Sequence, residues 1–358
     1  MDTTAGDLDF DSNGVCSLYR QFEAKKTLYS NFELNNTKLS SLVSKIKKRG
    51  VRHEYDCIIG ISGGVDSSYL AVLAVKEWGL RPLFVHVDTG WNSIASVNNI
   101  KNLINTLGVD LKTIVINWPE MMDLQLAFFK SGLPGLDTPQ DHVFHSLLYR
   151  TAKKFGIKYI LNGCNYQTES FLPKNWGYDV TDATLIKDVH RRFGTKDLKT
   201  YPFMSLFQYQ VYYPFICGIK NIDPLNLVVY KKSEVVAHLE LNFGWKSYKV
   251  KHGESVFTKF FQNYWLVERF GFDKRKAHLS SLIANGEISR EDALEELNKE
   301  LYSEVELNNE KLFICNKLGI TLEDLDVFFN LRKASPSDFK NQIKLKKYLK
   351  HLASFFRY

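Results

Sequence analysis

The chain has 358 residues, of which 44% are hydrophobic and 14% aromatic, enough apolar matter for roughly two domains with real cores and too much for default disorder. Its 47 Lys and Arg against 40 Asp and Glu leave a formal charge of +7, a surplus that suits a polyanionic ligand without requiring nucleic acid. Apolar runs such as the one from Tyr69 to Val75 fall far short of the roughly 20 residues that span a bilayer, and Asp2, Asp7, Asp9 and Asp11 stand where a signal peptide is basic then apolar. A cytoplasmic protein without membrane insertion is therefore expected. The 5 cysteines, Cys16, Cys57, Cys164, Cys217 and Cys315, are odd in number and scattered without a CxxC pair, which fits reduced thiols.

In chain order, residues 1–50 start acidic and end in a lead-in helix closed by Lys45-Ile46-Lys47-Lys48-Arg49-Gly50. Cys57-Ile58-Ile59-Gly60-Ile61 reads as a buried strand. A Gly/Ser turn and a helix over Tyr69 to Val75, ending near Gly79, follow it. Leu83-Phe84-Val85-His86-Val87 is the next strand, stopping at Asp88-Thr89-Gly90, and a helical stretch leads to a third strand from Leu111 to Ile116. A helix from about Asp141 to Phe155 and a strand from Lys158 to Gly163 repeat the period. Strands alternating with helices predict an α/β fold with a doubly wound parallel sheet, whose ligands lie beyond the carboxyl ends of the strands. After Phe171 the alternation fades. The aromatic stretch from Tyr201 to Tyr213 reads as core and interface packing, and from Val256 onward the pattern is helical. The closing Lys344, Lys346, Lys347, Lys350 and Arg357 read as a solvated basic helix face.

The strongest chemical feature is Ser62-Gly63-Gly64-Val65-Asp66-Ser67-Ser68 between the first strand and its helix. Gly60, Gly63 and Gly64 let backbone approach a phosphate, the following helix turns its free N–H groups toward the anion, and the hydroxyls of Ser62, Ser67 and Ser68 add donors. A pyrophosphate group fits such a loop. The loop lacks the Lys of GxxxxGK(S/T) and does not give GxGxxG, so neither of those fingerprints applies. Asp66 would repel phosphate unless a cation lies between them, which makes it a candidate Mg²⁺ ligand. The plainer reading is a Gly-rich turn with Asp66 as helix cap. Asp88 and Asn92 follow the second strand, and Gly163 and Asn165 a later one, all at the edge where a nucleoside would lie; turn chemistry accounts for them equally. Lys251, His252, Lys259, Lys274, Arg275 and His278 form a cationic group suited to phosphates or a carboxylate, or a solvated helix face. Glu254 and His252 are the nearest general-base candidates. Trp245 and Tyr248 fit either stacking on a sugar or base, or core packing. Asp141 and His142 read as helix capping.

The heptad resembles the signature of the PP-loop, or N-type, ATP pyrophosphatases over about residues 51–170. A wider resemblance rests on Asp88-Thr89-Gly90-Trp91-Asn92-Ser93, Thr138-Pro139-Gln140-Asp141-His142, Asn162 to Ser170, Lys251 to Gln262 and Phe270 to Ile283. These blocks look like the N-acetyl sugar amidotransferases of bacterial surface-glycan pathways. That resemblance implies a PP-loop domain over 51–240 behind an N-terminal segment of 1–50, and a helical acceptor-binding region over 241–358. It implies ATP and Mg²⁺ as cofactors, with Asp66, Ser67, His252 and Glu254 in catalysis. A nucleotide-linked acetamido sugar would be held by Lys251, His252, Glu254, Ser255, Thr258, Lys259, Gln262, Asp273, Lys274, Arg275 and His278. Its acetamido group would become acetamidino, in O-antigen (lipopolysaccharide) or flagellar glycan synthesis. The family's two N-terminal cysteine pairs have a counterpart here only in Cys16-Ser17-Leu18-Tyr19, and one thiol cannot make a tetrahedral site, so zinc is not expected. With no recognisable glutaminase Cys/His/Glu set, ammonia is expected from a separate glutaminase partner. Nucleic acid is not expected as a partner. The competing readings are a PP-loop tRNA-modifying enzyme, for which the basic tail would serve the backbone, and a non-catalytic nucleotide-binding subunit.

Overall fold

The computed structural model describes residues 1–6, 8–248 and 250–355; Asp7 and Arg357, and the side chain of Lys350, lie outside the described set. Five strands, β1 (Cys57–Gly60), β2 (Pro82–Asp88), β3 (Leu111–Val115), β4 (Tyr159–Leu161) and β5 (Lys220–Ile222), form one sheet in the order β3-β2-β1-β4-β5. Every pairing is parallel. The chain winds outward from β1 to β3 and then restarts on the other side of β1, so the strand order reverses between β1 and β4. Crevices of this kind are where open α/β sheets hold ligands.

The period of two along the strands divides the interior. Ile58, Leu83, Val85, Val87 and Ile160 enter one core, whereas Cys57, Ile59, Phe84, Tyr159 and Leu161 enter the other. The second core is closed by the helices Phe32–Gly50, Val65–Val72, Ile94–Leu107 and Lys232–Phe243. The first is closed by Trp118–Ser131, Thr138–Lys154 and Ala183–Phe193, and also by the C-terminal helices through Phe257, Phe260, Trp265, Ile314, Leu318 and Phe328. Phe129 meets Trp265 edge to face at 4.9 Å between centroids; truncating such a buried aromatic costs about 3–5 kcal/mol. Packing thus runs straight across residue 240, and the C-terminal helices share the core of the sheet.

Local signals set the helix ends. Asn117 caps Trp118–Ser131, with its side chain accepting from the Glu120 amide and Pro119 in the first turn, and Ser303 and Thr321 each make reciprocal capping boxes. Such caps satisfy amides that have no acceptor inside the helix. The helix expected from Asp141 begins at Thr138, because Pro139 fits a first turn, where no N–H is needed. Asp141 and His142 therefore lie within the helix instead of capping it. His142 is fully buried, its Nδ1 2.7 Å from the Val180 carbonyl and its Nε2 accepting from the Met204 amide at 2.9 Å, so it anchors two loops. The aromatic stretch splits: Tyr213 stacks on Tyr149 at 4.9 Å and the Tyr201 hydroxyl donates to the Pro139 carbonyl, but Phe207, Phe215 and Ile216 stay exposed. In the last helix Lys346 pairs with Asp179, while Lys344 and Lys347 are exposed. Among the described residues no helix is long and apolar enough to cross a membrane.

Candidate active site

The loop leaves β1 with Ile61 still bonded to the Val85 carbonyl and turns at Gly63, whose φ is +83°. A Cβ there would lie 2.8 Å from the Ser96 carbonyl oxygen, so glycine is required both for conformation and for space. Gly64 then opens the helix Val65–Val72, which carries no side-chain cap, leaving its first-turn amides directed out of the helix end. Ser62 and Ser67 hydroxyls sit 3.3 Å apart, and Ser67 Oγ also donates to the Gly64 carbonyl. Ser68 Oγ is buried without a hydrogen-bond partner among the described residues. Two residues fix the loop from behind: Trp245 Nε1 and the Tyr248 hydroxyl both donate to the Gly63 carbonyl at 2.9 Å. Buried in the second core, Trp245 is a loop anchor and not a stacking platform, and Tyr248 shares that role. Gly60, at the end of β1, packs on Leu148, which a Cβ would approach to 3.1 Å.

The loop after β4 closes against the same helix. A Cβ on Gly163 would stand 3.1 Å from Asp66 C and Ser67 N, so the two segments meet backbone to backbone at the strand reversal. Asn165 caps the short helix Tyr166–Glu169 with its oxygen and turns Nδ2 to Asp66 Oδ1 at 3.3 Å. The Tyr230 hydroxyl donates to the same oxygen. Oδ2 of Asp66 takes no hydrogen bond among the described residues. Lys251 reaches Glu169 at 3.2 Å, Lys232 Nζ lies 3.1 Å from His278 Nε2, and His278 Nδ1 faces the Thr168 carbonyl at 3.4 Å.

Charge in this wall is balanced by neighbours. Burial, then Glu169, pushes the Asp66 carboxyl up. Burial alone would raise Glu169, but Lys251 and His252 outweigh it and hold it below the ordinary range. Burial works to lower the Lys251 amine, and Glu169 with Asp66 more than offsets that. His278 is driven down by burial and by Lys251 and Lys232, so it is neutral near neutrality. Cys164, at the rim, has its thiol pushed up to about 12 by desolvation and by Glu169 and Asp223.

The segment from Lys251 to Ser255 forms the opposite lip. Ser255 pairs with Asn92 as an isolated bridge, the Ser93 amide donates to the Glu254 carbonyl, and Glu254 Oε1 stands 3.3 Å from where a Cβ on Gly64 would be. His252 has φ +64°, a left-handed backbone rare outside glycine, and its Nδ1 is 3.6 Å from Glu254. Burial tends to raise Glu254, but His252 holds it below the usual carboxylate range, so it is a weak proton acceptor. Beyond Ser255, Thr258 Oγ1 bonds to Ser255 Oγ at 3.0 Å and its side chain reaches Asp137. Lys274 extends over the rings of Tyr178 and Phe261, at 5.4 and 5.8 Å, facing Asp137 and Asp141.

Several residues expected at a ligand are engaged elsewhere. Asp88 Oδ1 accepts from the Gly90 amide and from Asn92 Nδ2, which is turn chemistry, and Lys317 from the C-terminal region donates to the Gly90 carbonyl. Lys259 is paired with Glu310 at 2.7 Å. Arg275 grips Asp273 through Nε and Nη2, and its Nη1 bonds to the carbonyls of Glu296 and Lys299; these two residues join helices instead of presenting charge. Gln262 is buried. Conversely, Tyr230, Lys232, Asp137 and Tyr178 line the same wall although no sequence motif marks them, and Glu169 does so from within the Asn162 to Ser170 block, where the motif assigns it no role.

An ATP polyphosphate fits this geometry, because an uncapped helix end, an orphaned Ser68 hydroxyl and the ammonium groups of Lys232 and Lys251 converge on one loop. Among the described residues no cluster of three or more His, Cys, Asp or Glu could hold a metal alone. Mg²⁺ commonly takes one or two carboxylates and completes its shell with phosphate and water, and Asp66 with Glu169 fits that partial donor set.

Residues 254–352 match the family described as LPS biosynthesis protein WbpG-like, C-terminal domain, and residues 35–131 match the NAD synthase family. The glutamine-hydrolyzing GMP synthase of Thermosipho africanus is 30% identical over 120 residues, covering 30% of this chain and 22% of that protein. The corresponding enzyme from Aeropyrum pernix is 28% identical over 134 residues, 36% of this chain and 24% of that one. The chain thus spans between 22% and 24% of the length of these two curated relatives. Among solved structures, the NH3-dependent NAD synthetase from Campylobacter jejuni aligns at 17% identity with a TM-score of 0.35, over 76% of this chain and 100% of that one. Together the two family matches support a place in the PP-loop ATP pyrophosphatase superfamily, with a WbpG-like C-terminal domain following the ATP-type loop domain.

Proposed function

We propose that this chain is an ATP-dependent, AMP- and pyrophosphate-forming carbon–nitrogen ligase that converts the acetamido group of a nucleotide-linked N-acetyl sugar to an acetamidino group, for bacterial surface polysaccharide or flagellar glycan. The observation that carries this reading is a junction. The WbpG-like domain starts at residue 254, and Glu254 is the residue lying against Gly64 of the phosphate loop. A domain named for lipopolysaccharide synthesis thus begins beside the loop to which this reading assigns ATP.

An amide oxygen is a poor leaving group, so ammonia cannot displace it directly; moving AMP onto that oxygen creates an imidate whose departing group is a stabilised phosphate. Ser62, Ser67 and the first-turn amides after Gly64 grip the phosphates that depart, and Lys251 and Lys232 add positive charge beside them. Asn165 and Tyr230 fix the orientation of Asp66. Asp66 with Glu169 would hold a Mg²⁺ ion, which when bound would supply charge neutralisation for the pyrophosphate. The lip from Lys251 to Ser255 holds the acceptor amide in line with the α-phosphorus.

Nitrogen delivery by a separate glutaminase is part of this reading. The two GMP synthases named above are glutamine-hydrolyzing, whereas burial raises the thiol of Cys57, and desolvation with Glu169 and Asp223 raises that of Cys164, leaving both unsuited to attack glutamine. The decisive experiment incubates UDP- and CMP-linked diacetamido sugars with ATP, Mg²⁺ and ammonium, following nucleotide products and sugar mass. AMP, pyrophosphate and a sugar lighter by about one mass unit, as O becomes NH, are expected. Acceptor-dependent ADP and phosphate would overturn the reading.

A further inference from the structure

The helix Thr138–Lys154 carries a carboxyl pair that the activation step does not use. Asp137 at its N-cap position and Asp141 one turn later are four residues apart, so both project from one face. Asp137 is 2% exposed. Its Oδ1 accepts from Gln140 Nε2 at 2.7 Å, and Gln140 Oε1 in turn accepts from Thr89 Oγ1 at 2.6 Å. That chain ties the carboxyl to the end of β2, at the carboxyl edge of the sheet. On its other side Thr258 links it to Ser255, the residue next to Glu254 at the loop. Asp141 is half-buried and accepts from the Tyr178 hydroxyl at 2.8 Å. The pair is thus held at the rim of the ATP site through two separate hydrogen-bonded routes.

Two features distinguish it from a structural ion pair. Among the described residues neither acid has a cation within ion-pair distance. Lys274, which faces both, has no side-chain hydrogen bond or ion pair among the described residues and rests on the rings of Tyr178 and Phe261. Buried charges are ordinarily paired, and here a cation and two acids share a wall without closing on each other.

We propose that the Asp137–Asp141 pair is the proton acceptor for the incoming nitrogen, with Lys274 and Tyr178 as positioning residues. This rests on the amidotransferase reading above. The nitrogen lone pair forms a C–N bond to the carbon of the imidate, whose sugar nitrogen still carries the amide proton, as the C=N π pair moves onto that sugar nitrogen, and the cationic nitrogen so made gives one proton to the pair. The C–O bond then breaks with its electron pair going to the AMP phosphate while the sugar nitrogen's lone pair re-forms the C=N bond, which leaves the amidinium product. The groups facing the pair are Lys274, Thr258, Gln140, Tyr178, His145 and His252, with Lys251 beyond Lys274. Burial, then Asp141, pushes Asp137 up to about 8, which suits a base operating near neutrality, and the two acids titrate as one unit. Glu254, held low by His252, lacks that match.

The test uses the full chain and separates the half-reactions. Acceptor-dependent exchange of labelled pyrophosphate into ATP reports adenylation; amidine formation is measured with ammonium and with hydroxylamine, which is already unprotonated near neutrality and yields a less basic cation. For Asp137→Asn and Asp141→Asn, exchange should stay within about twofold, the ammonium-driven rate should fall by about 10²–10⁴-fold, and the hydroxylamine-driven rate should fall far less. The rate per unit of free ammonia should rise through about pH 8 in the wild type, and this rise should vanish in Asp137→Asn. Infrared difference spectra give a readout independent of turnover: a protonated-carboxyl band that titrates near pH 8 and is lost in the variant. Equal loss with both nucleophiles, parallel loss of exchange, or unchanged ammonium rates would each overturn the proposal. If Asp137→Asn does not fold, Asp141→Asn and the infrared titration of the wild type decide it. A wild type without acceptor-dependent exchange would overturn the functional reading itself, whereas intact exchange with unaffected variants overturns only the proton-acceptor role.

Discussion

The two lips of the cleft hold their polar groups by different means. On the loop side, position is set by backbone: Gly63 turns because only glycine fits against Ser96, Gly163 meets the Asp66 backbone directly, and Trp245 and Tyr248 pin the Gly63 carbonyl from inside the core. Among the described residues Ser68 Oγ there is left without a partner, while Ser62, Ser67 and Asp66 are bonded within the loop or to its neighbours. On the C-terminal side, position is set by charge. Arg275 and Lys259 are used up in pairs with Asp273 and Glu310, while Lys274 lies over the Tyr178 and Phe261 rings and faces Asp137 and Asp141. A phosphate that must bind and leave calls for preformed donors, whereas an acceptor lip needs few free charges, each fixed by others that are already satisfied. Exposure or density of Lys and Arg does not distinguish the two kinds; the partners that each side chain has already found do.

The sharpest break in that comparison is at Asp66. Asp66→Asn keeps the size and the Asn165 and Tyr230 neighbours but removes the charge that faces a cation, so AMP formation should fall by about a hundred- to a thousandfold. Because burial already disfavours the ionised carboxyl, thermal stability should hold or rise. Turnover within tenfold of wild type in a folded variant would remove Asp66 from the metal role.

Next come Lys251 and Arg275, which the sequence presents as equals. Lys251→Ala takes a cation from beside the phosphates and leaves Glu169 facing Asp66. ATP binding should weaken about 10- to 100-fold, as losing a charge-assisted contact of roughly 1.5–3 kcal/mol implies. Arg275→Ala removes a helix clamp, so it should lower stability by about 1–3 kcal/mol while leaving ATP and acceptor affinities within twofold. Isothermal titration beside denaturant unfolding separates them. A selective loss of acceptor binding in Arg275→Ala would restore it to the site.

How far the sequence led depends on what each element must satisfy. β1, β2 and β4 are buried on both faces, so they appear as continuous apolar runs; β5, Lys220-Asn221-Ile222, is a short edge strand with two exposed polar positions and gives no such signal. The Gly/Ser loop after β1 was legible because its seven positions are contiguous and its conformation is carried by backbone. Tyr230 lies 164 residues from Asp66, and nothing in its local sequence points there. Asp137 was hidden for another reason. A carboxyl before a proline-containing first turn reads as a helix cap, and only the wall contributed by Thr258 and Lys274, more than a hundred residues on, makes it a buried acid. The cationic block was read as one group because spacing along a chain does not reveal which members find partners.

A smaller effect is expected at Gly163. An added Cβ would press on the Asp66 and Ser67 backbone at 3.1 Å, and overpacking against main chain costs typically about 1–3 kcal/mol. Gly163→Ala should therefore lower the thermal midpoint by several degrees and raise the KM for ATP more than that for acceptor, since the displaced element is the loop helix. Equal changes in both KM values would mean that the two lips move as one body.

The smallest effect reads the same contrast through pH. Asp123 accepts from the Thr195 amide and hydroxyl, the Lys196 amide and His190. Burial works to raise it, but the hydrogen bonds, led by that of Thr195, outweigh burial and hold it below the ordinary 3.8. Its contribution is present above the unfolded pKa and is lost as pH falls through the lower folded value, so it matters only in acid. Asp137 has the opposite sign. Between an unfolded pKa near 3.8 and a folded one of about 8, the unfolded chain has released the proton that the native state still holds. Native protein binds more protons there, and stability declines as pH rises across that window. Thermal midpoints from pH 3 to 8.5 should show a smaller decline between pH 5 and 8 for Asp137→Asn than for wild type, a difference of a few degrees. The gap between wild type and Asp123→Asn should close only below about pH 4. If wild type and Asp137→Asn run parallel from pH 5 to 8, the buried acid releases its proton as readily in the folded chain as in the unfolded one, and the contrast between an acid settled by hydrogen bonds and one kept protonated by burial disappears.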